Sequence, residues 1–106
     1  MPEIDPVRLE PRLASLFAVA GASEHEAALI ARHIVEASLR GHDSHGVGLT
    51  PHYLHAIRAG GMRLGQPLKV LRDLGALIVC DAGSGAGQVM AHEAMLLGIE
   101  RARRYG

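Results

Sequence analysis

Apolar residues recur every three to four positions after residue 23, which is the spacing of one helix face. The residues that share this face are Ala27, Ile30, Ile34 and Ala37. A shorter helix is predicted before it, over residues 11–20, because Pro11 suits a first helical turn and Gly21 suits a left-handed C-terminal cap. The short link between the two helices predicts a helical hairpin.

Caps and breakers set the other boundaries in the first sixty residues. Residues 7–9 read apolar, polar, apolar, which predicts a short strand or extended entry. Ser23 followed by Glu26 predicts a capping box at the start of the second helix. Thr50 and the proline after it predict the N-cap and first position of a third helix, which ends near residue 59 before two glycines.

The remaining residues predict strands and one long helix. Residues 68–71 and 76–80 are strand-like, with a turn over residues 72–75, and residues 88–104 form a long helix in which Glu100 can pair with Arg104. The order predicts an α+β protein: a helical hairpin or three-helix part over residues 1–60, then two strands and a long helix over residues 61–106. These last elements start an α/β body and leave sheet edges and an apolar helix face for a second chain, or more of this one, to cover.

Charge and composition exclude several classes of function. Eleven basic residues balance eleven acidic ones, so no net field favours nucleic acid or an anionic membrane. The arginines near the end are interpreted as complementing a helix C-terminus. A single cysteine allows no internal disulfide. No signal peptide and no apolar run of about 20 residues is visible, which predicts a cytoplasmic protein.

The polar run at residues 42–46, His-Asp-Ser-His-Gly, is the first candidate for chemistry. Imidazole gives and takes protons near neutral pH, and a neighbouring hydroxyl can orient the ring or bind a reacting oxygen. Glycines on both sides let the backbone approach a ligand. The alternative is a polar loop between helices whose Asp and Ser only cap the next turn.

Two further patterns are less specific. Four histidines within fourteen residues (His42, His45, His52 and His55) suggest a metal-binding module, but no Glu completes a zinc-protease pattern and no Cys supports it, so no metal is predicted. Residues 83–87 read G-S-G-A-G before a helix, which differs from the dinucleotide fingerprint G-x-G-x-x-G. A tight turn or substrate-facing backbone is the favoured interpretation of this loop.

Taken together, these segments resemble the type 2 malate/L-lactate dehydrogenase family, which includes sulfolactate and ureidoglycolate dehydrogenases and cyclic imino acid reductases. The resemblance rests on G-H-D-S-H-G-V at residues 41–47, P-H-Y at 51–53, the glycines at 60–61 and D-A-G-S-G-A-G-Q at 81–88. It implies a partial domain of a non-Rossmann NAD(P)-dependent oxidoreductase fold, usually found as a homodimer.

The resemblance also implies roles for individual residues. His45 would be the general acid that protonates the developing alkoxide or amine, Ser44 its neighbour in a proton relay, and Tyr53 a substrate contact. Family members often have an arginine where this chain has Leu49. The side chain that would usually bind the substrate carboxylate is therefore missing. Thr50 is the predicted substrate contact that compensates, with Arg58 as a second candidate.

Length limits what the chain does by itself. Family members are much longer, and the resemblance implies that NAD or NADP is bound mainly by segments absent here. The chain is therefore expected to be an N-terminal fragment, a truncated product or one chain of a split enzyme that acts on 2-keto or cyclic imino acids. The partner would be a second copy or a complementing C-terminal portion. The rival hypothesis is a catalytically silent interaction or dimerisation domain.

Overall fold

The computed structural model describes residues 3–106. Met1 and Pro2 lie outside this range. They are the first residues of the predicted helical part and of the stretch in which a signal peptide would lie. The first helix, α1, spans Pro6–Val19. The expected strand at residues 7–9 and the helix start at Pro11 are therefore wrong. Asp5 begins α1 instead, since its carboxylate accepts a hydrogen bond from Val7 N at 3.0 Å and Pro6 occupies the first turn.

Helix α2, Glu24–Leu39, packs against α1 and contributes most of the core. Ser23 caps it as predicted, with Oγ accepting from Glu26 N at 3.1 Å. The second half of the capping box is not formed, because the Glu26 carboxylate accepts from Gly65 N at 2.9 and 3.1 Å. The largest fully buried side chains are those of Phe17, Ile30 and Ile34, so the helical hairpin forms the centre of the molecule.

Two short 3-10 turns, Asp43–His45 and Val47–Leu49, lead from α2 into helix α3, Thr50–Ala59. The predicted end of α3 near residue 59 is confirmed. The helix begins one residue earlier than predicted, with Leu49 rather than Thr50 as its N-cap. Gly60 ends the helix in the left-handed region at φ +84°, which explains the breaker at this position.

Strands β1, Lys69–Asp73, and β2, Ile78–Asp81, form an antiparallel pair, and helix α4, Gly87–Tyr105, follows. The predicted hairpin and long helix are confirmed, with shifted bounds, and so is the α+β class. The expected Glu100–Arg104 pair is not formed: in the part of the chain that the structure describes, the ion pairs are Glu36–Arg40 and Asp73–Arg101. No helix within residues 3–106 combines the length and apolar character that crossing a bilayer demands.

Candidate functional site

The loop that follows α2 carries the polar run singled out in the sequence. Gly41, at φ +81°, turns the chain away from the helix. His42 N donates to Ala37 O at 2.8 Å, His45 N donates to His42 O at 3.0 Å, and Gly46 N donates to Asp43 O at 3.2 Å. These bonds wind the backbone into a tight turn that leaves the His45 side chain exposed.

The side chain of His45 lines an open cleft of about 380 Å³ between the helices. Three helices and the segment after α3 contribute to its lining, which consists of His33, Ala37, His45, Tyr53, Met62, Gly87 and Gln88. The first turn of α4 thus reaches the end of α2 and the middle of α3. The structure brings His45 and Tyr53 together, as expected if both contact one ligand.

Ser44 and His45 form a hydrogen bond of 2.8 Å between Oγ and Nδ1. This bond occupies one ring nitrogen and leaves Nε2 as the atom that can exchange a proton with a ligand. When the ring is doubly protonated, Nδ1–H donates to Ser44 and Nε2–H remains free as a donor. The contact therefore leaves the Nε2 side of the ring free to meet a ligand.

Tyr53 is held from both ends of its side chain. Its ring meets Phe17 edge-on, with centroids 6.5 Å apart, which ties it to the core. Its hydroxyl accepts a hydrogen bond from Gln88 Nε2 at 3.3 Å. A phenol that accepts from Gln88 keeps its own proton available for a ligand oxygen in the cleft.

Neither candidate for replacing the missing arginine lies in this cleft. Thr50 is buried, with 6% of its surface exposed, and its Oγ1 has no hydrogen-bond partner among residues 3–106. Arg58 borders a different surface depression beside Leu16 and Ile57. No arginine therefore lines the cleft within residues 3–106.

The other histidines do not assemble a metal site. Within the described range, no three His, Cys, Asp or Glu side chains are grouped so that they could hold an ion. His52 and His55 lie exposed on α3 and outside the cleft. His33 is exposed on α2 and also lines the cleft, because one turn of the helix separates it from Ala37.

The glycine-rich segment before α4 forms a tight turn. Gly83 and Ser84 have φ of +58° and +61°, and Gly83 N donates to the Asp81 carboxylate at 2.8 Å. Arg63 N donates to Ser84 O at 2.8 Å, which joins the turn to the segment after α3. The turn places Gln88 in the cleft. Gln88 is a lining residue that was not among the predicted ones, although its position just after a glycine turn and at a helix start was a usable signal.

Comparison with known proteins gives consistent matches. The sequence model of the malate/L-lactate dehydrogenase family matches residues 4–106. Hydroxycarboxylate dehydrogenase B of Escherichia coli K12 is 39% identical over 102 residues, which cover 96% of this chain and 28% of that protein. The chain therefore spans less than a third of this relative.

Solved structures show the same fold over the same portion. Malate dehydrogenase from Pyrococcus horikoshii superposes with a TM-score of 0.94 at 30% identity, covering 99% of this chain and 30% of that one. Δ1-Piperideine-2-carboxylate reductase from Pseudomonas syringae pv. tomato superposes with a TM-score of 0.85 at 27% identity, covering 100% of this chain and 32% of that one.

Proposed function

Because this chain belongs to the malate/L-lactate dehydrogenase family, we propose that it is the proton-donating portion of an NAD- or NADP-dependent oxidoreductase. The reaction reduces a 2-keto acid to a 2-hydroxy acid, or a cyclic imino acid to the amino acid. The observation that carries the proposal is the oriented imidazole of His45 in a cleft shared with Tyr53.

His45 acts as the general acid. Nε2–H protonates the substrate oxygen, or the imine nitrogen, as the adjacent carbon accepts hydride. After transfer the neutral ring keeps its second proton on Nδ1, hydrogen-bonded to Ser44. In the oxidative direction the same Nε2 takes the proton back. Ser44, with its Oγ 2.8 Å from Nδ1, accepts from Nδ1–H in both directions and so keeps the ring oriented with Nε2 toward the substrate.

Tyr53 and Gln88 bind the substrate end that faces α3 and α4. The tyrosine hydroxyl donates to a ligand oxygen while it accepts from Gln88 at 3.3 Å. Thr50 is buried behind this surface, so its contribution as a substrate contact would be indirect, through the start of α3.

Among residues 3–106 no Lys or Arg lines the cleft, so we propose that it holds the reacting part of the substrate and that the phosphates of the dinucleotide bind elsewhere. A nicotinamide dinucleotide, when bound, supplies the hydride. We propose that the rest of a family enzyme holds it, supplied either by a complementing C-terminal portion or by a longer form of this chain, which assembles as a homodimer.

The test uses a chimera in which residues 4–106 replace the matching portion of E. coli hydroxycarboxylate dehydrogenase B. We expect NADH- or NADPH-dependent reduction of 2-keto acids by the chimera. His45→Ala should lower kcat about 10²–10⁴-fold, the range for loss of a general acid. His55→Ala, a matched histidine outside the cleft, should leave kcat unchanged.

Two results would contradict the proposal. One is a His45→Ala chimera that turns over as fast as the parent chimera. The other is a folded chimera that binds NADH and reduces none of the 2-keto or cyclic imino acids offered, which would favour the silent interaction domain.

A further inference from the structure

The loop that carries His45 is hydrogen-bonded to α2, the helix that precedes it. Ser38, in the last turn of α2, accepts a hydrogen bond at its Oγ from Val47 N at 2.9 Å. Val47 is nine residues further along the chain and directly follows Gly46. This bond joins the end of the loop to α2. The bond from His42 N to Ala37 O joins the beginning of the loop to the same helix.

Close packing accompanies this bond. Gly46 is buried, and a Cβ added to it would lie only 3.1 Å from Ser38 Cβ and 3.2 Å from Ser38 Cα. Its φ of −94° is open to any residue, so the glycine is needed for space and not for backbone handedness. Gly41 shows the opposite case, with φ +81° and nothing within 4 Å of an added Cβ.

Nothing else in the described residues ties the His45 side chain to the scaffold. Its ring is hydrogen-bonded only to Ser44, which belongs to the same loop, and both side chains are exposed. The ring is therefore placed by the backbone on which it stands, and that backbone is placed by the two bonds at the base of the loop.

We propose that Ser38 is a positioning residue for His45. The proposal rests on the proposed function of His45 and assigns Ser38 no contact with substrate. Loss of the Ser38 acceptor frees Val47 N–H and lets the loop move away from α2. Displacements of about 1 Å at a catalytic group lower rates by up to about a hundredfold.

The test compares three serine variants of the chimera. Ser38→Ala should lower kcat about tenfold and change the KM for NADH less than twofold, because ring placement is lost while cofactor contacts lie elsewhere. Ser38→Thr keeps the hydroxyl and should recover most of kcat. Ser15→Ala removes a helix hydroxyl that bonds Pro11 O at 3.0 Å on α1 and should leave kcat unchanged.

A structural readout is independent of turnover. In the 106-residue chain, exchange of the Val47 amide hydrogen should be at least about tenfold faster in Ser38→Ala than in the parent, and unchanged in Ser15→Ala. Alanine is a better helix former than serine, so faster exchange confined to the loop does not reflect loss of α2. Gly46→Ala, whose Cβ forces the loop off Ser38, should speed this exchange in the same way.

The outcomes separate the two proposals. If His45→Ala abolishes reduction but Ser38→Ala has the parent kcat and the parent Val47 exchange, the role of Ser38 is overturned and that of His45 stands. If His45→Ala retains full activity, the proposed function itself fails. Equal losses in Ser38→Thr and Ser38→Ala would also overturn the positioning role, because the hydroxyl would then be irrelevant.

Discussion

At the scale of single residues, the hydrogen bonds of Ser23 and Glu26 differ in how far they reach along the chain. The capping role of Ser23 was predicted, because its partner lies three residues away. The partner of Glu26 is Gly65, thirty-nine residues distant, and no local pattern indicates it. The contact between Ser38 and Gly46 was not predicted for the same reason, although the glycines of the loop were noted.

Glu26 offers a direct test at this scale. It is buried, with 4% of its surface exposed, and its carboxylate binds the backbone of the segment that also supplies Met62 to the cleft. Glu26→Ala should lower the free energy of unfolding by about 1.5–3 kcal/mol, the range for hydrogen bonds to charged groups. Urea denaturation of the chain measures this.

Glu100→Ala is the matched control, since this carboxylate is exposed on α4 and forms no ion pair within residues 3–106. It should change stability by no more than about 0.5 kcal/mol. Equal unfolding midpoints for Glu26→Ala and the parent would show that the bond to Gly65 contributes nothing.

At the scale of elements, the sequence predicted which helices and strands exist, and the main error was at the start of α1. Residues 7–9 alternate like a strand, but the cap at Asp5 and the proline after it began a helix there. Pro11 removes one helical bond, to the carbonyl of Val7, a residue that is 78% exposed. The division at residue 60 remains a prediction; the bonds from Glu26 to Gly65 cross it.

A bidentate ion pair between Asp73 and Arg101 joins the β-hairpin to α4. Arg101 Nη1 and Nη2 each donate to the Asp73 carboxylate at 2.7 Å. These bonds, with the one from Gly75 N, hold the pKa of the Asp73 carboxyl below its ordinary value of 3.8. Because the pKa is lower in the folded chain, the pair stabilises the fold above about pH 3.8, and this is lost as the pH falls through the lowered pKa.

Asp73→Asn should therefore lower Tm at pH 6 and have no effect at a pH below the folded pKa. Thermal unfolding followed by circular dichroism between pH 6 and pH 2 measures the difference. Asp43→Asn, in an exposed position without an ion pair in the described chain, is the control. A Tm difference between Asp73→Asn and the parent that persists unchanged to pH 2 would rule out the ion pair as its cause.

At the scale of the whole molecule, apolar faces stay exposed that none of residues 3–106 covers. They lie on the hairpin and on α4 and include Leu71, Leu74, Leu77, Met95, Leu96 and Ile99, each at least 41% exposed. A two-stranded sheet is only marginally stable alone, so these faces favour a partner. The sequence predicted that these surfaces need covering; which partner covers them is not encoded in local patterns.

We predict that the isolated chain self-associates through these faces. Sedimentation at micromolar concentrations should give an average mass above the 11.2 kDa of one chain. The double variant Leu71→Lys with Ile99→Lys should shift the chain toward monomer, whereas Val19→Lys, at a position 89% exposed on α1 rather than on the hairpin or α4, should not. A parent chain that stays monomeric up to about millimolar concentration would contradict the prediction.

The most direct measurement of the central claim is a crystal structure of the chimera with NADH and oxamate, an unreactive 2-keto acid analogue. We predict that His45 Nε2 lies about 2.6–3.2 Å from the amide oxygen of oxamate, which stands in for the keto oxygen of a substrate, with Ser44 on Nδ1 and Tyr53 beside the ligand. Oxamate bound in the cleft with this amide oxygen on another donor, and His45 turned to solvent, would contradict the proposed role of His45.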